Sequence, residues 1–173
     1  MNDNKAVFKI HINGSVEDVW REITKTDEPQ QCFFNSVLDT EGLKPGAQIR
    51  MRTVSGRYTA VVGEVVEFDP PHRYAHTMRF TQYDDPPCTV TYELIEKDTG
   101  VEFVITLDGL QPGTKSAKSM IRGASFIMNT LKSLVEKGKA PLSSRVVFAL
   151  GGVLEGLSPK SMSSENWPLS RQV

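Results

Sequence analysis

The chain has 173 residues, 39% of them hydrophobic and 24% charged, and its 20 Lys+Arg against 21 Asp+Glu give a net charge of -1. That length suits one domain with an appendage and buries enough surface for a real core. Near-neutrality argues against the concentrated basic footprint of a nucleic-acid binder, and no run of about 18 apolar residues is present to span a membrane.

Residues 6–12 alternate, with Ala6, Phe8, Ile10 and Ile12 on one side, and predict a half-buried strand. Asn13-Gly14 turns the chain, and Ser15 stands where an N-cap belongs, with Asp18 three residues on. The helix predicted over 16–24 buries Val16, Val19, Trp20 and Ile23. Pro29 breaks the pattern, with room for a short second helix before Phe34. Strands follow at 36–40 and 48–53, flanking a Gly/Pro turn, then at 57–68, bent or bulged at Gly63. Asp69-Pro70-Pro71 forces another turn, since neither proline can donate to a ladder. Tyr74, His76, Met78 and Phe80 share one face of the next strand, Val90, Tyr92 and Leu94 one face of the sixth, and Val101, Phe103, Ile105 and Leu107 one face of the seventh. Short loops between these strands imply an antiparallel meander.

Ser116 is expected to cap a long helix reaching Gly138, whose inward stripe includes Met120, Ile121, Ala124, Ile127, Met128 and Leu131. Phe126 points the other way. The class is therefore α+β, a sheet gripping one long helix. Beyond residue 138, Ser144 is expected to open a helix through Leu157, with Val146, Leu150, Val153, Leu154 and Leu157 on one stripe. Gly151-Gly152 suggests close backbone approach there. This extension, 139–173, either docks on the chain's own surface at Phe126, with Trp167-Pro168-Leu169 fixing its end, or makes a homodimer through residues 143–169 and Phe126.

The polar start MNDNKAVFKI has no apolar core, so a cytoplasmic location is expected. Cys32 and Cys88 lack metal-ligand spacing; two spectator thiols are the simpler reading and a single disulfide the alternative. No phosphate loop, zinc helix or nucleophile elbow is present, and no metal or cofactor is expected.

The segment Gly63-Glu64-Val65-Val66-Glu67-Phe68-Asp69-Pro70-Pro71-His72-Arg73-Tyr74 resembles the strand–Pro-Pro–strand signature of START-like proteins. The nearest branch is the one named for the C-terminal domain of the Hsp90 ATPase activator, and Ser15-Val16-Glu17-Asp18-Val19-Trp20 is similar to that family's first helix. The resemblance covers residues 5–138. It implies a helix-grip fold, six or seven antiparallel strands curved around a long C-terminal helix, with a cavity between them used for apolar small molecules. Fold alone does not select the ligand.

Among the three histidines, His11 and His72 read as exposed, whereas His76 shares the inward face. It is either a core histidine satisfied by a carbonyl, or a polar anchor or acid/base in a cavity. Tyr92 points inward and needs a hydroxyl partner. Glu64 is paired if inward and solvated if outward. Three functions follow as expectations. The first is binding of an apolar, aromatic or lipid-like molecule, with His76 and Tyr92 as anchors and Met78, Phe103, Ile105, Met120, Ala124 and Met128 as walls. The second is a cyclase- or aromatase-like enzyme using His76 with Tyr92 or Glu64. The third is a protein-interaction module, co-chaperone-like, with a filled core and a sizeable apolar or charged surface patch.

Overall fold

The computed structural model describes residues 4–169, so the first three residues and the last four of the expected extension lie outside it. Seven strands form one antiparallel sheet: β1 (Lys5–Ile12), β2 (Val37–Thr40), β3 (Gln48–Arg52), β4 (Thr59–Asp69), β5 (Arg73–Phe80), β6 (Cys88–Lys97) and β7 (Gly100–Asp108). Their spatial order is β1-β7-β6-β5-β4-β3-β2, so the first strand closes one edge and everything else is a meander. Between β1 and β2 lie α1 (Val16–Thr24) and a 3-10 turn, Gln31–Phe33. α2 (Lys115–Lys137) and α3 (Leu142–Leu154) follow the sheet.

Local chemistry fixes the element ends. The Ser15 hydroxyl accepts from the Asp18 N–H at 3.1 Å and donates to the Asp18 carboxylate at 2.7 Å, which sets the first turn of α1. For α2 the cap is Thr114 rather than Ser116: its hydroxyl accepts from the Ala117 N–H, while the Ser116 N–H is already taken by Asp85. Gly138, at φ 68, ends the helix. Gly63 marks a close approach and not the bulge. A Cβ there would strike the carbonyl of Thr77 on β5, whereas the β4–β5 register shifts between Val65 and Glu67. Ile121, expected inside, is 45% exposed at the margin of the stripe.

The inner face of the sheet, α1 and α2 share one core in which Ile12, Val19, Ile23, Phe103, Ile105 and Leu131 are fully enclosed. This core excludes water between sheet and helix except where side chains leave room. Cys32 and Cys88 are free, buried thiols. Burial pushes both pKa values up, Cys88 to about 11, so neither supplies a thiolate at neutral pH.

Candidate functional site

Between α2 and the sheet lies a cavity of about 630 Å³, within the range of roughly 300–1,000 Å³ used for small ligands. The antiparallel register builds its floor. Tyr74 stands opposite Tyr92 and His76 opposite Val90 across β5 and β6, and Ile105 stands opposite Tyr92 on β7. Because alternate residues share a face, Tyr74, His76 and Met78 all line the space together with Val90, Tyr92 and Ile105. From α2 come Met120, Gly123, Ala124 and Ile127. The small residues at 123 and 124 leave the volume that larger side chains would fill.

Three floor groups form an aromatic cluster, with ring centroids 5.1 Å apart for Tyr74 and His76 and 5.7 Å apart for His76 and Tyr92. The His76 Nδ1–H donates to the Thr77 carbonyl at 2.8 Å, since a carbonyl can only accept, and this leaves the Nε2 lone pair free. Burial lowers the His76 pKa to about 4, so the imidazole is neutral near pH 7. The same desolvation pushes Tyr74 and Tyr92 above the ordinary phenol value, keeping both protonated. Neither hydroxyl has a hydrogen-bond partner among the described residues.

A fourth polar group, not anticipated from sequence, is Gln30. Its backbone is pinned by a bond from its N–H to the Ser36 carbonyl at 2.8 Å and by the Phe33 N–H at 3.0 Å on its carbonyl. The side chain is wholly buried beside the cavity, and both the amide oxygen and the amide nitrogen lack partners. Leaving such a group unpaired costs about 1–3 kcal/mol. The sequence signal was only a glutamine between Pro29 and a buried Cys32, which reads as a polar break.

The mouth is built from residues far apart in the chain. Phe34 and Asn35 are left-handed, each at φ 58, a conformation uncommon for phenylalanine. It lays the Phe34 ring on Phe126 at 4.2 Å, nearly parallel, and Phe148 of α3 meets Phe126 edge-on at 6.2 Å. Val147, Phe148, Gly151, Gly152 and Glu155 complete the lining. Two polar clamps hold this roof. The Glu155 carboxylate accepts from the Thr53 hydroxyl at 2.5 Å and from the Ser55 hydroxyl, which holds its pKa below the usual carboxylate value. Arg52 donates to Asp39 at 2.6 Å and, 115 residues on, to the Trp167 carbonyl at 3.0 Å. Arg79 sits 5.1 Å over the Trp167 ring.

The family model of the activator of Hsp90 ATPase homolog 1-like proteins matches residues 13–136. The chain belongs to that family. Solved structures with this fold include protein MLL2253 from Mesorhizobium loti (18% identity, 77% of this chain and 97% of that one, TM-score 0.64). The Aha1 dimer from Colwellia psychrerythraea (16% identity, 79% and 98%, TM-score 0.62) and DynU16 of the dynemicin biosynthetic locus (17% identity, 79% and 49%, TM-score 0.65) are similar too. At these identities the likeness is one of fold. No curated protein matches the chain in sequence.

On this family scaffold the sequence-derived candidates divide. His76, Met78, Tyr92, Ile105, Met120 and Ala124 line one cavity. Phe103 and Met128 do not: Phe103 is fully buried beside Tyr92, with the rings stacked at 6.0 Å, and Met128 is packed in the core one turn past Ala124. Glu64 is exposed on the outer face of β4 and is no partner for His76. Tyr74 and Gln30 join the set. In the extension, Phe148 meets Phe126, whereas the expected stripe of Val146, Leu150, Val153, Leu154 and Leu157 is exposed; the helix begins at Leu142 without a side-chain cap, and Ser144 is buried on Thr130 at 2.7 Å. Gly151 and Gly152 make no close approach; a Cβ on either would meet open space. No single helix among the described residues is long and apolar enough to cross a membrane.

Proposed function

We propose that the protein binds an uncharged, largely apolar small molecule in this cavity, held by Gln30, Tyr74, His76 and Tyr92. The observation that carries the reading is an apolar space bordered by four polar side chains, each with hydrogen-bonding capacity that the protein leaves wholly or partly unused. Each group states what it would accept. The neutral His76 Nε2 receives a hydroxyl or N–H, the two phenols donate to a carbonyl or ether, and the Gln30 amide does both. The cationic group at the rim, Arg52, is engaged by Asp39, Thr59 and the Trp167 carbonyl, so nothing favours an anion. A molecule with a hydroxyl and a carbonyl at one end of an apolar frame meets all of these demands.

Proton transfer by His76 at neutral pH fits less well, because burial leaves its Nε2 without a proton to give and makes it a weak base, and no carboxylate among the described residues pairs with it.

The test has two arms. Native mass spectrometry and organic extraction of the purified protein should reveal a stoichiometric neutral ligand, and titration with N-phenyl-1-naphthylamine, an uncharged apolar fluorophore, should saturate at one site. Ala124→Trp, which fills the cavity from α2, and Gly152→Phe, which fills it from the rim, should both abolish saturation. Absence of any co-purifying ligand together with equal fluorophore response in all three proteins would sink the reading.

A further inference from the structure

α3 has two faces with different chemistry. Phe148, Gly151 and Gly152 turn toward the cavity. The other side carries Leu142, Val146, Leu150, Val153, Leu154 and Leu157 at three- and four-residue spacing along the helix and the 3-10 turn that prolongs it. All six are exposed, Val153 at 81% and Leu157 at 80%. A continuous apolar stripe of this kind marks an interaction surface.

Charge is segregated along the sequence as well. Residues 109–163, which hold α2 and α3, carry eight Lys and Arg against two Asp and Glu, leaving twelve against nineteen for the rest of the chain. The two acids are occupied: Glu136 is bound by Lys132 and the Asn13 N–H, and Glu155 by Thr53 and Ser55. Lys115, Lys118, Arg122, Lys137, Lys139 and Arg145 are exposed. The near-zero net charge thus hides a positive helical layer and a negative remainder.

We propose that this helical layer docks on an anionic lipid surface. The outer stripe of α3 would sit at the headgroup–acyl boundary while the lysines and arginines meet anionic headgroups. An exposed apolar stripe accompanied by basic residues, on a 13-residue helix too short to span, is the chemistry of a helix lying in the plane of the interface. A second copy is the competing occupant, but pairing the stripes face to face would bring two positive layers together. The docking does not depend on what the cavity holds.

Flotation of the whole chain with vesicles of phosphatidylcholine, alone or with roughly a third phosphatidylglycerol, tests it. The protein should float with the anionic vesicles and not the neutral ones, and high salt should release it. Val153→Asp combined with Leu157→Asp alters only exposed positions and should lower the bound fraction roughly ten-fold with an unchanged melting temperature; Lys139→Glu with Arg145→Glu should also weaken binding. Three results would overturn the proposal: no flotation with anionic vesicles, flotation of the double aspartate variant like the unaltered chain, or a dimer by light scattering that the aspartates dissolve while vesicles are ignored. Each leaves the fluorophore titration of the cavity unaffected.

Discussion

The segment matched by the family, residues 13–136, and the stretch that follows it are held by different forces. In the first, apolar side chains from sheet and helix enclose one another, with Phe103, Ile105 and Leu131 at or near zero exposure. In the second, Ser144 is the one buried residue of α3, six large apolar side chains face outward, and attachment runs through Ser144, Phe148, Glu155, Ser164 and Trp167. Shape and stability come from dispersed burial, whereas the roof is tied on by a few specific contacts. A region tied in that way can be released without unfolding the rest.

The largest effect should therefore come from the enclosed core. Leu131→Ala removes a fully buried side chain and should cost about 2–5 kcal/mol in urea denaturation, while Leu157→Ala should change stability by less than about 0.5 kcal/mol. Equal costs would erase the contrast. Next comes His76. Its folded pKa of about 4 lies below the ordinary 6.5, so on acidification the unfolded chain takes up the proton first. Stability present above pH 6.5 should fall as pH drops toward 4, by about 3 kcal/mol. The urea midpoint of His76→Gln should lack that component of the acid slope. A smaller effect attends the roof: Glu155→Ala removes the acceptor for Thr53 and Ser55 and should open the extension by about 1–2 kcal/mol, read as roughly ten-fold faster proteolytic cleavage within residues 139–163. If cleavage instead spreads into β4 and β5, the two regions are not separable. Smallest, and opposite in sign, Gly151→Ala places a methyl in open space on a helix and should add up to about 1 kcal/mol.

Much of the fold was legible because it is written in periodicity. Two-residue alternation in β1, β5, β6 and β7 and the 3.6-residue stripe of α1 each determine a face, and the antiparallel order follows from short turns. That also brought His76 and Tyr92 to one floor. Depth was not legible: alternation puts Phe103 and Tyr92 on the same side without saying that one ring covers the other, and the stripe of α2 does not tell where the cavity ends between Ala124 and Met128. Gln30 was missed because its placement depends on a turn that pairs its backbone with Ser36, a contact with no periodic signal. The stripe on α3 was visible, yet amphipathicity does not say which face is covered; the aromatic pair Phe126–Phe148 decided that, against the expectation that the leucines would pack inward.

Five of the cavity-lining residues, from Val147 to Glu155, lie past the segment that defines the family. The container and its cover are thus encoded in separate stretches of the chain, and they are free to diverge at different rates. On the proposed reading, two relatives with the same floor would admit molecules of unlike length if their covers differed. Conversely, if the cavity takes a ligand as proposed, exchanging residues 142–157 between relatives would alter what enters while leaving the sheet, the long helix and the four polar side chains of the floor untouched.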